Sequence, residues 1–232
     1  MPTQILTILQ TLINWDIQAS LFINGLHCAY LDNFMMMYSG RFVWIPLYVS
    51  LFVVMLRNFP LRVNIVCLIF SVVLITIIDQ TSSSLIRPML CRPRPAHIES
   101  PISALVHIVD GYRGGHYGFP SSHAANCWGA TFFVFYVFRR SVLSTVLVLW
   151  ALLMCWSRIY LGVHYLGDIL FGTLIGFLYA SALYFVFQKS MRKTTEAFKP
   201  ACHSPKLYTP AVTCGMLTAM MLVLAFFTRF SF

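Results

Sequence analysis

Beyond residue 41 the chain alternates between long apolar runs and short polar connections. Six runs carry no charged residue: 42–56, 63–78, 124–138, 141–156, 169–188 and 207–228. A helix that crosses a bilayer needs about 20 apolar residues, and several of these runs are shorter. Each short run is bounded by residues that can extend it. Arg57, Arg139 and Arg140 have stems long enough to carry their charge to the interface. Arg41, Asp79 and His123 suit a polar pocket inside a bundle. The pattern predicts an all-α polytopic membrane bundle of six transmembrane helices.

Residues 1–34 read differently. They mix apolar and polar positions and include Asp16 and Asp32 but no Lys or Arg. They predict amphipathic helices at a membrane surface, an N-terminal arm on a six-span domain of residues 35–232. A span over 17–30 is the competing reading, and it would be short for a bilayer. The first fifteen residues lack the basic start and small-residue cleavage site of a signal peptide. Residues 81–120 are rich in Pro, Ser, Gly and His, so loops or short helices are expected there.

Composition agrees with the pattern. The chain is 59% hydrophobic and 10% charged, whereas soluble domains carry about 25% charged residues. A net charge of +9 would suit nucleic acid, but the basic residues sit in short connections between apolar runs, which excludes a nucleic-acid surface. Arg57 and Arg62 lie in the first connection, Arg139 and Arg140 in the third, and Lys189, Arg192, Lys193, Lys199 and Lys206 in the fifth. Six spans put these three connections on one side, which the positive-inside rule makes cytoplasmic. The arm, residues 79–123 and residues 157–168 then share the other side. That side also holds Arg87, Arg92, Arg94, Arg113 and Arg158, against the rule. A phosphate site would account for them. The seven cysteines form no CxxC and no zinc spacing. Cys28 and Cys91 fall on the same side, and a bridge between them is left open.

Three polar clusters on that side carry candidate chemistry. Residues 87–95 read RPMLCRPRP, with Arg87, Arg92 and Arg94 stiffened by Pro88, Pro93 and Pro95. Alone, such a loop also fits lipid head groups. Residues 118–126 read GFPSSHAAN, and Pro120-Ser121-Ser122 before an apolar run marks a helix N-terminus. Backbone N–H groups there favour an anion, and His123 in the first turn can donate a proton. A plain serine cap with an incidental histidine remains the alternative. Residues 156–168 read WSRIYLGVHYLGD. His164 and Asp168 are four residues apart, so they share a face if the helix starts near His164. Asp168 then orients one imidazole nitrogen and leaves the other as nucleophile or base. Arg158 adds a fork suited to phosphate. Two helix-end residues satisfying each other would look the same.

Together these parts match phosphoryl transfer, which needs charge neutralisation around phosphorus and an in-line nucleophile. Asp79, Glu99 and Asp110 stand apart in sequence, so no two-metal acidic cluster is indicated and no metal or other cofactor is expected.

The clusters resemble the signature of the type 2 phosphatidic acid phosphatase family of membrane lipid phosphatases. The chain reads Arg87–x6–Arg94-Pro95, Pro120-Ser121-Ser122-His123 and Ser157-Arg158–x5–His164–x3–Asp168, in order and at the family's spacing. Arg87 stands where the family usually has Lys, and Ser122 where it has Gly; a serine there fits poorly with any need for positive φ. The resemblance implies a catalytic core within 87–168, with His164 attacking phosphorus and Asp168 orienting it. It implies His123 as proton donor to the leaving oxygen. It also implies a phosphate held by Arg87, Arg94, Arg158, Ser121 and Ser122, without metal. His97, His107, Arg113, His116 and Arg92 match no motif position and are expected mainly at the interface. The expected protein is a bacterial inner-membrane enzyme with its site facing the periplasm, taking phosphate from a lipid such as a prenyl pyrophosphate carrier or lipid A. The partners expected are the bilayer and that lipid. The alternatives are a phosphotransferase with a lipid acceptor and a non-catalytic lipid or anion transporter.

Overall fold

The structure is a computed structural model and describes residues 2–40, 42–192 and 208–228. Arg41, Cys202, Lys193, Lys199 and Lys206 lie outside the described residues. Helix α1 is Pro2–Asn24 and α2 is Ala29–Tyr38. A 3-10 turn at Phe42–Trp44 leads into α3, Ile45–Asn58. Helix α4, Leu61–Asp79, continues through π-helical turns at Gln80–Ile86 into α5, Arg87–Leu90. Loops with a single 3-10 turn at Ser103–Leu105 follow. Helices α6 (Ser122–Phe138), α7 (Ser141–Tyr160), α8 (Leu166–Arg192) and α9 (Tyr208–Phe227) complete the bundle.

All six apolar runs are helical, and the all-α membrane bundle holds. Among the described residues, four helices are long and apolar enough to cross a bilayer: Leu61–Leu90, Ser141–Tyr160, Leu166–Met191 and Tyr208–Phe227. Helix α2 and the Phe42–Asn58 segment meet at 66° and give a fifth crossing if they form one broken span. The remaining run, α6, has 17 residues, below the length of about 20 that a span needs. It is enclosed by α4, α7 and α8 instead of bounding the bundle.

The run expected to end at Ile78 continues to Leu90 as a single 30-residue helical stretch. Two of the polar residues that suggested a loop find partners inside the bundle: Thr81 Oγ1 lies 3.1 Å from Tyr179 Oη, and the Ser83 and Ser122 hydroxyls share a 2.9 Å hydrogen bond. The π turns take up this polar stretch, a device common next to functional sites.

Helices α6 and α8 start at the same end and run parallel. They approach closely because Gly172 and Gly176 face α6: a Cβ on either would sit 2.5 Å from the backbone oxygen of Ser121 or Ala125. Helix α4 runs antiparallel to both, with Ile78 against Gly129 and Phe70 against Phe187. The ends carrying Arg57 and Arg139 therefore meet, where the Phe59 and Phe138 rings pack at a tilt with centroids 5.6 Å apart. The loop 91–121, the start of α6 and the α7–α8 turn meet at the other end.

Helix α1 is exposed from Gln4 to Leu12 and docks through its last two turns. Asn24 Nδ2 donates to Tyr160 O at 2.7 Å and His107 O at 2.9 Å. Helix α2 packs against α7 and α9 and buries Phe34, Met35 and Tyr38 in the main core. Cys28 and Cys91 are free, exposed thiols.

Candidate active site

Asp168 is the third residue of α8, where a carboxylate can reach back to the start of its own helix. It does: Tyr165 N donates to Asp168 Oδ2 at 3.0 Å. The same oxygen lies 3.2 Å from His164 Nδ1. His164 itself precedes the helix, in the α7–α8 turn. The pair therefore forms through the helix cap, not through one helical face. His164 and Asp168 are 1% and 0% exposed.

The opposite imidazole nitrogen, Nε2, lies 3.4 Å from Arg94 Nη1. A guanidinium only donates. The lone pair is therefore on Nε2 and the hydrogen on Nδ1, facing the carboxylate. Burial, then the charges of Arg94, Arg158 and Arg87, hold the His164 pKa well below the ordinary imidazole value. The imidazole is neutral, with its lone pair directed at the arginine. Burial, with repulsion from Arg158 and Arg87, brings Arg94 down to about 10, which keeps it charged at neutral pH. Arg94 is fixed by donating to Tyr117 O at 3.1 Å and Val163 O at 3.2 Å.

A cavity of 490 Å³ opens beside Arg94, lined among others by Arg87, Arg94, Ser122, His123, Asp79 and Asn126. Arg87 Nη2 donates to Ser122 Oγ at 2.8 Å and to Pro120 O at 3.1 Å. Arg158 donates to the Ser39 hydroxyl and, at 3.3 Å, to Tyr112 Oη. With His123 and Tyr112 it lines an adjoining cavity of 230 Å³. Arg87 Nε and Arg158 Nε are buried without a hydrogen-bond partner among the described residues. Ser122 opens α6 in helical conformation, so its replacement of glycine needs no positive φ. Ser121 is different: its hydroxyl is fully buried and caps α6 by accepting from Ala124 N at 3.3 Å.

All eight residues expected at the site thus collect at one end of the bundle: Arg87, Arg94, Arg158, Ser122 and His123 line the cavities, and His164, Asp168 and Ser121 are buried behind that lining. The sequence profile of the PAP2 superfamily matches residues 64–192, more than half of the chain. The chain belongs to the PAP2 superfamily. It is 41% identical over 75% of its length to a lipid A 4'-phosphatase of Bacteroides thetaiotaomicron, covering 77% of that protein. It is 29% identical over 83% of its length to a lipid A 4'-phosphatase of Porphyromonas gingivalis, covering 82% of it. The crystal structure of Aquifex aeolicus LpxE shares the fold, with a TM-score of 0.55 at 24% identity, covering 72% of this chain and 93% of that one. The chain is a PAP2 membrane phosphatase.

Two residues of this PAP2 site were not identified by the motifs. Arg92, expected at the interface, donates from Nη1 to Asp168 Oδ1 at 2.9 Å and from Nη2 to Asp16 Oδ2 at 2.6 Å. Asp16 comes from the arm. The other non-motif residues hold the loop together: Arg113 donates to Ala96 O at 2.5 Å, and His107 Nε2 lies 3.1 Å from Asp32 Oδ2. His97, Glu99 and His116 place their ligand atoms within 4.8 Å of one another. The two imidazoles stack at 4.2 Å and 20°, however. Nearly parallel rings aim their lone pairs side by side and not at one point, so as arranged they do not form a closed metal centre.

Proposed function

We propose that this chain removes the 4'-phosphate of lipid A by phosphoryl transfer to His164. The substrate is inferred from similarity to two proteins named lipid A 4'-phosphatase. The observation that carries the chemistry is the orientation of His164, with Nδ1 on Asp168 and Nε2 toward Arg94. A neutral imidazole with a directed lone pair is a nucleophile, and Asp168 stabilises the positive charge it gains on attack. Simple anion binding has no use for an oriented imidazole, which argues against a transporter.

In the reaction, Nε2 bonds to phosphorus as the bond to the sugar oxygen breaks. His123 donates a proton to that oxygen, then takes one from the water that hydrolyses the phosphohistidine. Arg87, Arg94 and Arg158 neutralise the three outer phosphate oxygens, the main demand of this transition state. The partnerless Nε atoms of Arg87 and Arg158 support this role, since buried donors of that kind are rare unless a ligand takes them up. Ser122 adds a hydroxyl at the cavity wall. Ser121 acts through the α6 cap, with its backbone N donating to Asp168 O at 3.0 Å.

The site faces the non-cytoplasmic side, which is the periplasm of a bacterial inner membrane. The end carrying Arg57, Arg62, Arg139 and Arg140 is opposite the site, and short basic connections stay in the cytoplasm.

The test is phosphate release by purified protein from bisphosphorylated lipid A, a prenyl pyrophosphate and phosphatidic acid, each with and without chelator. Lipid A should be dephosphorylated at the 4' position without a metal, and His164→Ala should be inert. Release from another lipid alone would move the substrate assignment. A strict need for a second lipid as acceptor would make the enzyme a phosphotransferase.

A further inference from the structure

The first N–H groups of a helix have no partner within it. In α8 they are met by another helix: Ser20 Oγ of α1 accepts from Leu166 N at 2.9 Å, and Asp16 Oδ1 accepts from Gly167 N at 2.7 Å. Gly167 permits this approach, since a Cβ there would lie 3.0 Å from Asp16 Oδ2. Helix α1 therefore caps the helix that carries Asp168.

The second oxygen of Asp16 continues the contact. It accepts from Arg92, whose other terminal nitrogen donates to Asp168 Oδ1. The guanidinium carbon lies 3.8 Å from the centre of the Tyr165 ring, which fixes the plane of the fork. Both oxygens of Asp168 are thereby committed, Oδ1 to Arg92 and Oδ2 to His164 and Tyr165 N. The Asp168 side chain is 0% exposed, so water does not replace a missing partner.

We propose that Asp16 and Arg92 are positioning residues for the phosphatase reaction: together they hold Asp168 so that a single oxygen addresses His164, making α1 part of the catalytic apparatus. The proposal rests on His164 being the nucleophile. Arg92 is absent from the lining of the 490 Å³ cavity and, with Asp16, lines a separate apolar pocket of 690 Å³, so kcat against KM separates an effect on attack from an effect on lipid binding. Only a planar fork spans two carboxylates in this way; a lysine reaches one.

The experiment measures kcat and KM for release of phosphate from lipid A in detergent micelles, with the full chain carrying R92Q, R92K, D16N or D16N/R92Q. R92Q should lower kcat roughly 10–100-fold at unchanged KM, the scale seen when a partner orienting a functional histidine is lost. R92K should recover part of that loss. D16N should cost less than R92Q, and D16N/R92Q should be no slower than R92Q, because both act through one guanidinium. Monodisperse elution and an unchanged melting temperature separate positioning from folding. If R92Q does not fold, R92K decides: a lowered kcat at constant KM supports the proposal, and wild-type kcat overturns it. Wild-type kcat in R92Q, a raised KM with constant kcat, or additive losses in the double variant would overturn it. His164→Ala, measured alongside, must be inert. Activity there removes the nucleophile reading itself, whereas an inert His164→Ala beside a fully active R92Q removes this inference alone.

Discussion

Arg94 Nη1 lies 3.4 Å from His164 Nε2, on the far side of the imidazole from Asp168. In the proposed reaction the attacking nitrogen is therefore adjacent to a cation that binds the phosphate oxygens. Losing one well-placed donor to a developing anion costs about 10²–10³-fold in rate. Arg94→Ala is expected to lower kcat/KM by at least that much. Arg94→Lys should recover only part, because it keeps the charge but loses the donation to Val163 O and Tyr117 O. A near-wild-type kcat/KM in Arg94→Ala would separate this arginine from the chemistry.

How much of this was legible in the sequence follows from what membrane burial does to a pattern. Each apolar run is a helix, because a bilayer demands both apolar side chains and internally satisfied backbones. The motif spacing likewise singled out His123, His164 and Asp168, which the structure brings to one end of the bundle. The extension of α4 was not visible: Gln80 to Ser84 look like a loop, and Thr81 and Ser83 find partners in Tyr179 and Ser122, far along the chain. The Asp16–Arg92 contact joins residues 76 positions apart. No periodicity links an arm residue to a loop residue at that distance. Ser121 shows a third limit, since the residue types of an N-cap and of a phosphate contact are the same.

The acid side of the pH profile should reflect the depressed pKa of His164. An ordinary imidazole is half protonated near pH 6.5, whereas burial and the arginines hold this one well below that value. The neutral, nucleophilic form then persists as pH falls. The acid limb of kcat/KM should lie below about pH 6.5, after esters with different phosphate pKa values have been used to identify the substrate's own ionisation. The same shift affects stability. A neutral buried His164 contributes stability above the unfolded-state value, and that contribution is lost as pH falls through the lower folded-state value. An acid limb well above pH 6.5 that is insensitive to the ester would contradict a neutral His164.

Topology can be read by thiol labelling after replacement of the seven native cysteines. His116→Cys lies in an exposed loop at the site end, and Leu61→Cys lies at the exposed first residue of α4 at the basic end. In intact spheroplasts an impermeant reagent should modify the first and spare the second. The reverse pattern would invert the orientation.

Packing between α6 and α8 sets the position of the site. An alanine at Gly172 would place its Cβ 2.5 Å from Ser121 O, at the cap that opens α6 beside Asp168. Overpacking of this kind costs about 1–3 kcal/mol. Gly172→Ala should therefore lower both the melting temperature and kcat. Gly215→Ala in α9 is the control, since nothing lies within 4 Å of its added Cβ. It should be neutral or stabilise by up to about 1 kcal/mol through helix propensity. Equal melting temperatures for the two variants would mean that α6 and α8 have room to separate.

The two histidines should fail at different steps. In the proposed reaction His164 accepts the phosphoryl group, so His164→Ala should abolish turnover and any trapped phosphoenzyme. His123 lines the cavity with Arg87 and Ser122, and in the proposed reaction its proton serves the leaving oxygen. That proton matters most when the leaving group is poor, and general acid catalysis contributes roughly 10²–10⁴-fold. His123→Ala should therefore be slowed severely on a sugar or alkyl phosphate and much less on a nitrophenyl phosphate, whose leaving group departs without a proton. The comparison holds only for the first step, so the burst of phosphoenzyme formation is what must be measured. If breakdown limits turnover, steady-state rates converge although the bursts differ. Equal burst defects on both esters would remove His123 as the acid, and a phosphohistidine trapped at position 123 would exchange the two roles.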